Sequence, residues 1–107
     1  MDDIERSFHR EMLNIYKLAL SKCKYRASYF LQMVNENGGL EAAQILLAKP
    51  GIQYGFEELW KCGRLDLTIE SLVLRNPWRQ LFTPHELETA RKRLENLNYS
   101  FGNGEVI

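Results

Sequence analysis

A chain of 107 residues with 45% hydrophobic, 11% aromatic and 26% charged side chains has the composition of one ordinary globular domain, which excludes extensive disorder. Fourteen Lys and Arg balance fourteen Asp and Glu, so no overall positive field drives the molecule onto phosphate or anionic lipid. No run approaches the roughly 20 apolar residues that span a bilayer, and MDDIERSFHR is too charged for a signal peptide; the expectation is a cytoplasmic protein with no membrane partner.

Ile4, Phe8, Met12, Ile15, Ala19 and Cys23 recur at spacings of three and four, which predicts a long amphipathic helix from residue 3 to about 23, with Asp2 or Asp3 as its cap. Tyr25-Arg26-Ala27 bridges to a second helix that starts at Ser28 and stops at Asn37-Gly38-Gly39. There Gly38 suits a left-handed terminal residue, and Gly39 lets the backbone turn into a third helix over about Leu40 to Ala48. Pro50-Gly51 ends that helix, and Phe56 to Cys62 reads as two more turns, with Phe56, Leu59 and Trp60 inward and Gly63 as the stop.

The stretch from Leu65 to Leu74 fits two periods. Leu65, Leu67 and Ile69 alternate as in a strand, while Leu65, Ile69, Leu72 and Val73 fit a helix; Thr68 as a cap, with Leu67 packing on Leu72, favours helix from about Thr68. Asn76-Pro77 closes it and opens a short turn through Trp78 and Leu81. Thr83-Pro84-His85-Glu86 is a capping box flanked by the staple pair Phe82 and Leu87, and it starts a last helix that runs to about Asn98 with Arg91, Lys92 and Arg93 outward. The expected architecture is all-α, a single-domain bundle of five or six helices of unequal length over residues 1–98, followed by a loose tail over 99–107.

Chemistry is sparse. There is no CxxC, HExxH, GxSxG, Walker A or GxGxxG pattern, and the two histidines, His9 and His85, are far apart in sequence. Cys23 and Cys62 read as small buried hydrophobes in a reducing compartment. Carboxylates such as Glu36, Glu41, Glu57, Glu58 and Glu70 lie mainly at helix starts, where dipole effects explain them. No catalytic residue, metal or cofactor is assigned. Arg64 and Asp66 flank a leucine that belongs in the core and read as a structural ion pair.

Two features suit binding. Lys22, Lys24, Tyr25 and Arg26, together with Arg91, Lys92 and Arg93, would contact nucleic acid if they met on one face, the tyrosine stacking on a base. Tyr16, Tyr29, Tyr54 and Trp78 are candidate anchors for a protein partner or for self-association, and Tyr25 can serve there too. The ordered phrases YRASYFLQMVNENGGLEAAQILL, GFEELW, GRLDLTIESLVL, LFTPHEL and ARKRL resemble a small bacterial family of uncharacterised all-helical proteins. That resemblance implies a complete domain with an accessory role in nucleic-acid processing or defence, and assigns no catalytic residue. The expected function is thus a non-catalytic binding module for protein or nucleic acid. The alternatives are a small metal-dependent hydrolase or nuclease, built from groups such as Glu36, Asp66 and a histidine, and a homo-oligomeric structural protein.

Overall fold

A computed structural model describes residues 3–49 and 54–96, except the side chains of 54–56. Among the described residues six helices follow one another: α1 (Asp3–Cys23), α2 (Ser28–Asn37), α3 (Gly39–Ala48), α4 (Tyr54–Lys61), α5 (Ile69–Val73) and α6 (Pro84–Glu95). Two 3₁₀ turns, Leu65–Leu67 and Trp78–Leu81, join the later ones, and no strand occurs among the described residues. The all-α bundle of unequal helices is what the periodicities predict. No described helix is long and apolar enough to cross a membrane.

The α1 stripe forms because Phe8, Met12, Ile15 and Ala19 recur once per turn and are all buried. Against it lies α3, where Ala42, Ala43, Leu46 and Leu47 are buried and the small residues let neighbouring helices approach. α3 packs on α1, α2, α5 and α6, so it is the central rod of the bundle. At one end Phe8 meets Phe82 and Trp78 edge to face, with ring centroids 5.4 and 6.3 Å apart, and the Trp78 indole N–H donates to Ser7 Oγ at 3.2 Å.

The corner between α1 and α2 closes through Lys24, whose φ of 57° is left-handed, and through the Tyr25 N–H, which donates to the Ala19 carbonyl at 3.1 Å. A left-handed residue just past a helix end is usually glycine, and here it is a lysine. At the ambiguous stretch the structure has both a 3₁₀ turn and a helix. The Thr68 hydroxyl donates to the Leu65 carbonyl at 2.7 Å and accepts from the Ser71 N–H at 3.1 Å, ending the turn and capping α5. Leu65, Leu67 and Ile69 are all buried; their strand-like alternation comes from a turn of three residues running into a helix start. The α6 capping box forms in both directions: Glu86 N–H donates to Thr83 Oγ1 at 3.1 Å, and Thr83 N–H to Glu86 Oε1 at 2.9 Å.

Four expectations need correction. Cys23 and Cys62 are not buried hydrophobes: they form a disulfide with Cα atoms 5.7 Å apart, Cys23 half-buried and Cys62 exposed, because the ends of α1 and α4 come together. Trp60 does not point inward but is 48% exposed; α4 turns Leu59, not Trp60, to the core. α6 ends at Glu95, short of Asn98. Gly38 has the expected positive φ, but its ψ of 158° takes it outside the left-handed helical well into a region that is essentially glycine-only. The tail over 99–107 lies outside the described residues.

Candidate binding pocket and the two ends of the central helix

Neither end of α3 is capped by a side chain from its own segment, since Gly38 precedes it and Lys49 follows it. Distant helices supply both caps. At the start, His9 Nδ1 on α1 accepts from the Gly39 N–H at 2.9 Å, a contact that needs the ring hydrogen on Nε2. Gly39 permits this approach because a Cβ there would sit 2.7 Å from the His9 Cα. Close packing, rather than turning, is what position 39 requires.

At the other end Arg93 reaches in from α6. Its Nη1 donates to the Leu46 carbonyl at 3.2 Å and to Glu70 Oε2 at 2.9 Å, while Nη2 donates to the carbonyls of Leu47, at 3.2 Å, and Lys49. A guanidinium suits this place: it carries positive charge to the negative end of a helix, and its fork meets several carbonyls at once. Arg93 is 8% exposed and Glu70 is 2% exposed. Burial pushes the Glu70 carboxyl above its ordinary value, while Arg93 pulls it back towards the ionised form. Arg93 is therefore an internal strut and not the outward cation that the charge run suggested.

Beside this pair lies a partly open, mainly apolar pocket of about 200 Å³. Tyr16, Tyr25, Tyr29 and Phe30 supply aromatic walls, Ile15, Leu46, Leu59 and Ile69 supply aliphatic ones, and Thr68 and Glu70 line it as buried polar residues. It forms because α1 and α2 diverge from the Lys24 corner while α4 and the first 3₁₀ turn bring Leu59 and Leu67 across the gap. An engineered cavity of about 150 Å³ in another protein takes benzene, so this partly open space has the volume of a phenyl-sized or slightly larger group. Tyr29 is 64% exposed, and Lys49 Nζ lies 5.2 Å from its ring centroid and donates to its hydroxyl at 3.4 Å.

The residues singled out from sequence fall into separate places. Tyr16, Tyr25 and Tyr29 share the pocket. Trp78 is half-buried against α1 through Phe8 and Ser7, and the Tyr54 side chain lies outside the described residues. Lys22, Lys24 and Arg26 are exposed around the α1–α2 corner. On α6, Lys92 is exposed and Arg91 pairs with Glu88 and Glu95. Arg64 and Asp66 form a bidentate pair at 2.9 and 3.0 Å, and the Asp66 carbonyl also accepts from Arg75. The hydrogen bond from Arg64 holds the Asp66 carboxyl below its ordinary value. Glu36 accepts from Gln32 at 3.0 Å on the exposed side of α2. Among the described residues no three His, Cys, Asp or Glu side chains gather as metal ligands would.

Reasoning from sequence named Glu70, Arg93 and His9 but not the roles they have here: Glu70 was a helix-start carboxylate, Arg93 an outward cation, and His9 a histidine with no assigned site. For Glu70 a signal existed: it is the lone charged side chain inside LTIESLVL, whose other residues are apolar or small hydroxyls, and if that run is buried it demands a partner. In comparisons with known proteins, the chain matches no family model, no curated protein and no solved structure.

Proposed function

We propose that the chain is a non-catalytic binding module that takes an apolar side chain of a protein partner into the pocket between α1, α2 and α4. The observation that carries this reading is the convergence of Tyr16, Tyr25, Tyr29 and Phe30 on one partly open space of about 200 Å³. Tyrosines offer large contact area with few rotamers to freeze, and their hydroxyls tolerate the water at a rim. The carboxylate lining the pocket is already paired with Arg93, so a neutral occupant fits better than a charged one. The nucleic-acid reading has less support, because Arg93 is inside the fold and Tyr25 lines the pocket.

The test is selection of displayed random peptides on the native chain and on Ala27→Phe, which fills the space from the α2 N-terminus. The native chain should enrich peptides with one aromatic or large aliphatic anchor. Loss of an anchor typically costs about 2 kcal/mol or more, so Ala27→Phe should bind them about thirty-fold more weakly while keeping its circular dichroism. Equal binding to both proteins would refute the pocket. Failure to select peptides, together with binding of single-stranded oligonucleotides that is lost in Lys22→Ala/Lys24→Ala, would favour the nucleic-acid reading instead.

A further inference from the structure

We propose that Cys62 is a modification site, the sulfur at which an anionic low-molecular-weight thiol of the glutathione type exchanges with the Cys23–Cys62 disulfide. The two sulfurs differ in access. Cys62 is exposed just beyond the end of α4, whereas Cys23 is half-buried and packs on the core. An incoming thiolate therefore reaches Cys62 Sγ first. Its lone pair forms a new S–S bond to Cys62, the bond to Cys23 breaks, and the electron pair leaves on Cys23 as thiolate. A second thiol then attacks the mixed disulfide. The net change is the protein disulfide plus two thiols giving the protein dithiol plus one small disulfide, with both electrons and both protons coming from the small thiols. In the reverse direction the Cys23 thiolate resolves the adduct and expels the small thiol.

The surroundings select for negative charge. Lys22, Lys24 and Lys61 are all exposed and lie within one residue of the two cysteines, and the disulfide draws them to one corner. Glu57 and Glu58 also belong to α4, one exposed and one half-buried, and temper this field without cancelling it. The Lys22 carbonyl lies 3.8 Å from Cys62 Sγ, an acceptor for the thiol formed on reduction.

Exchange has a mechanical consequence. α4 packs on α1 and the first 3₁₀ turn, and Leu59 is the α4 side chain among the described residues that is buried in the core. With the bond to Cys23 broken, α4 loses its covalent tie to α1, and among the described residues these packing contacts remain to hold it. Leu59 is also a wall of the aromatic pocket, so modification at Cys62 loosens one side of that pocket; this last step rests on the pocket being the binding site.

The test uses the whole chain in its disulfide form, treated with reduced glutathione or with neutral 2-mercaptoethanol, quenched in acid and mapped by peptide mass spectrometry. The adduct should lie on Cys62 at least ten-fold over Cys23, and only the glutathione rate should fall as salt is raised from 20 to about 500 mM, a range that shortens the screening length several-fold. Hydrogen exchange of residues 57–62 should rise at least ten-fold in Cys23→Ser carrying glutathione on Cys62, with α1, α3 and α6 protection retained. An adduct on Cys23, equal salt dependence of the two thiols, or unchanged protection of residues 57–62 would each overturn the proposal. Peptide binding is read separately: loss of the pocket reading leaves the mapping at Cys62 standing, and the reverse also holds.

Discussion

Replacing Arg93 with methionine keeps most of the side-chain length and removes the guanidinium. In the native chain that group satisfies Glu70 and three carbonyls at the end of α3, all from one buried position. Breaking a buried ion pair from one side leaves an uncompensated charge and typically costs about 3–5 kcal/mol. The Leu46 and Leu47 carbonyls lose their partner as well, and a buried unpaired group costs about 1–3 kcal/mol, part of it recovered where water reaches the helix end. Arg93→Met should therefore lose about 4 kcal/mol, a large share of the 5–15 kcal/mol typical of a domain. Glu70→Gln should lose only about 1–2 kcal/mol, because the amide oxygen still accepts from Arg93 and burial already disfavours the carboxylate charge. The double variant Glu70→Leu/Arg93→Met removes the stranded charge and should recover part of the loss, stopping about 1–3 kcal/mol short of the native value because the α3 carbonyls stay open. Urea unfolding followed by circular dichroism at 222 nm gives all three numbers. A loss below about 1 kcal/mol for Arg93→Met, or a double variant no better than that single one, would refute the strut.

Other expectations follow from the same contacts. Gly39→Ala should cost about 2–3 kcal/mol through the clash with the His9 backbone, and Gly38→Ala about 1–3 kcal/mol through its backbone conformation, both by urea unfolding. His9→Asn, whose side-chain oxygen can stand where Nδ1 accepts, should retain at least half of the roughly 1 kcal/mol lost in His9→Ala; equal losses would show that the Gly39 hydrogen bond is not the reason. Lys24→Gly should stabilise by about 1 kcal/mol, seen as a higher urea midpoint, because glycine relieves the left-handed φ. Asp66 has a folded pKa below its ordinary 3.8, so its contribution is present above about pH 4 and is lost as pH falls through the folded value. Asp66→Asn should flatten the acid limb of the stability profile and leave its slope above pH 5 unchanged.

What could be read from sequence divides by the range of the interaction. The α1 stripe, the Thr83 capping box and the Thr68 cap each lie within a few residues and follow from local spacing. The start of α6 is fixed by four consecutive residues, and it sits where they place it. The candidate site was only partly legible. Tyr16, Tyr25 and Tyr29 stood out as surplus aromatics, but that they line one pocket depends on the Lys24 corner and on where α4 crosses. Arg93 was indistinguishable in the sequence from Arg91 and Lys92, because its partners are 23 to 47 residues away. The two cysteines, 39 residues apart, gave no spacing from which their pairing could be derived. Gly38-Gly39 read as a joint; the 2.7 Å approach to His9, thirty residues earlier, made one of the two a packing residue.

The position of Arg93 along the chain also sets an order of events during synthesis. A ribosome delivers α1 through α5 well before residue 93, and domains begin to form from the part already made. Until α6 emerges, the nascent chain carries a carboxylate in its would-be interior without a counterion, and a central rod whose last carbonyls have no protein donor from that helix. The arriving guanidinium fills both vacancies in one docking step. A released chain that stops before residue 93 should therefore be helical but protease-sensitive, and one extended through residue 96 should be resistant.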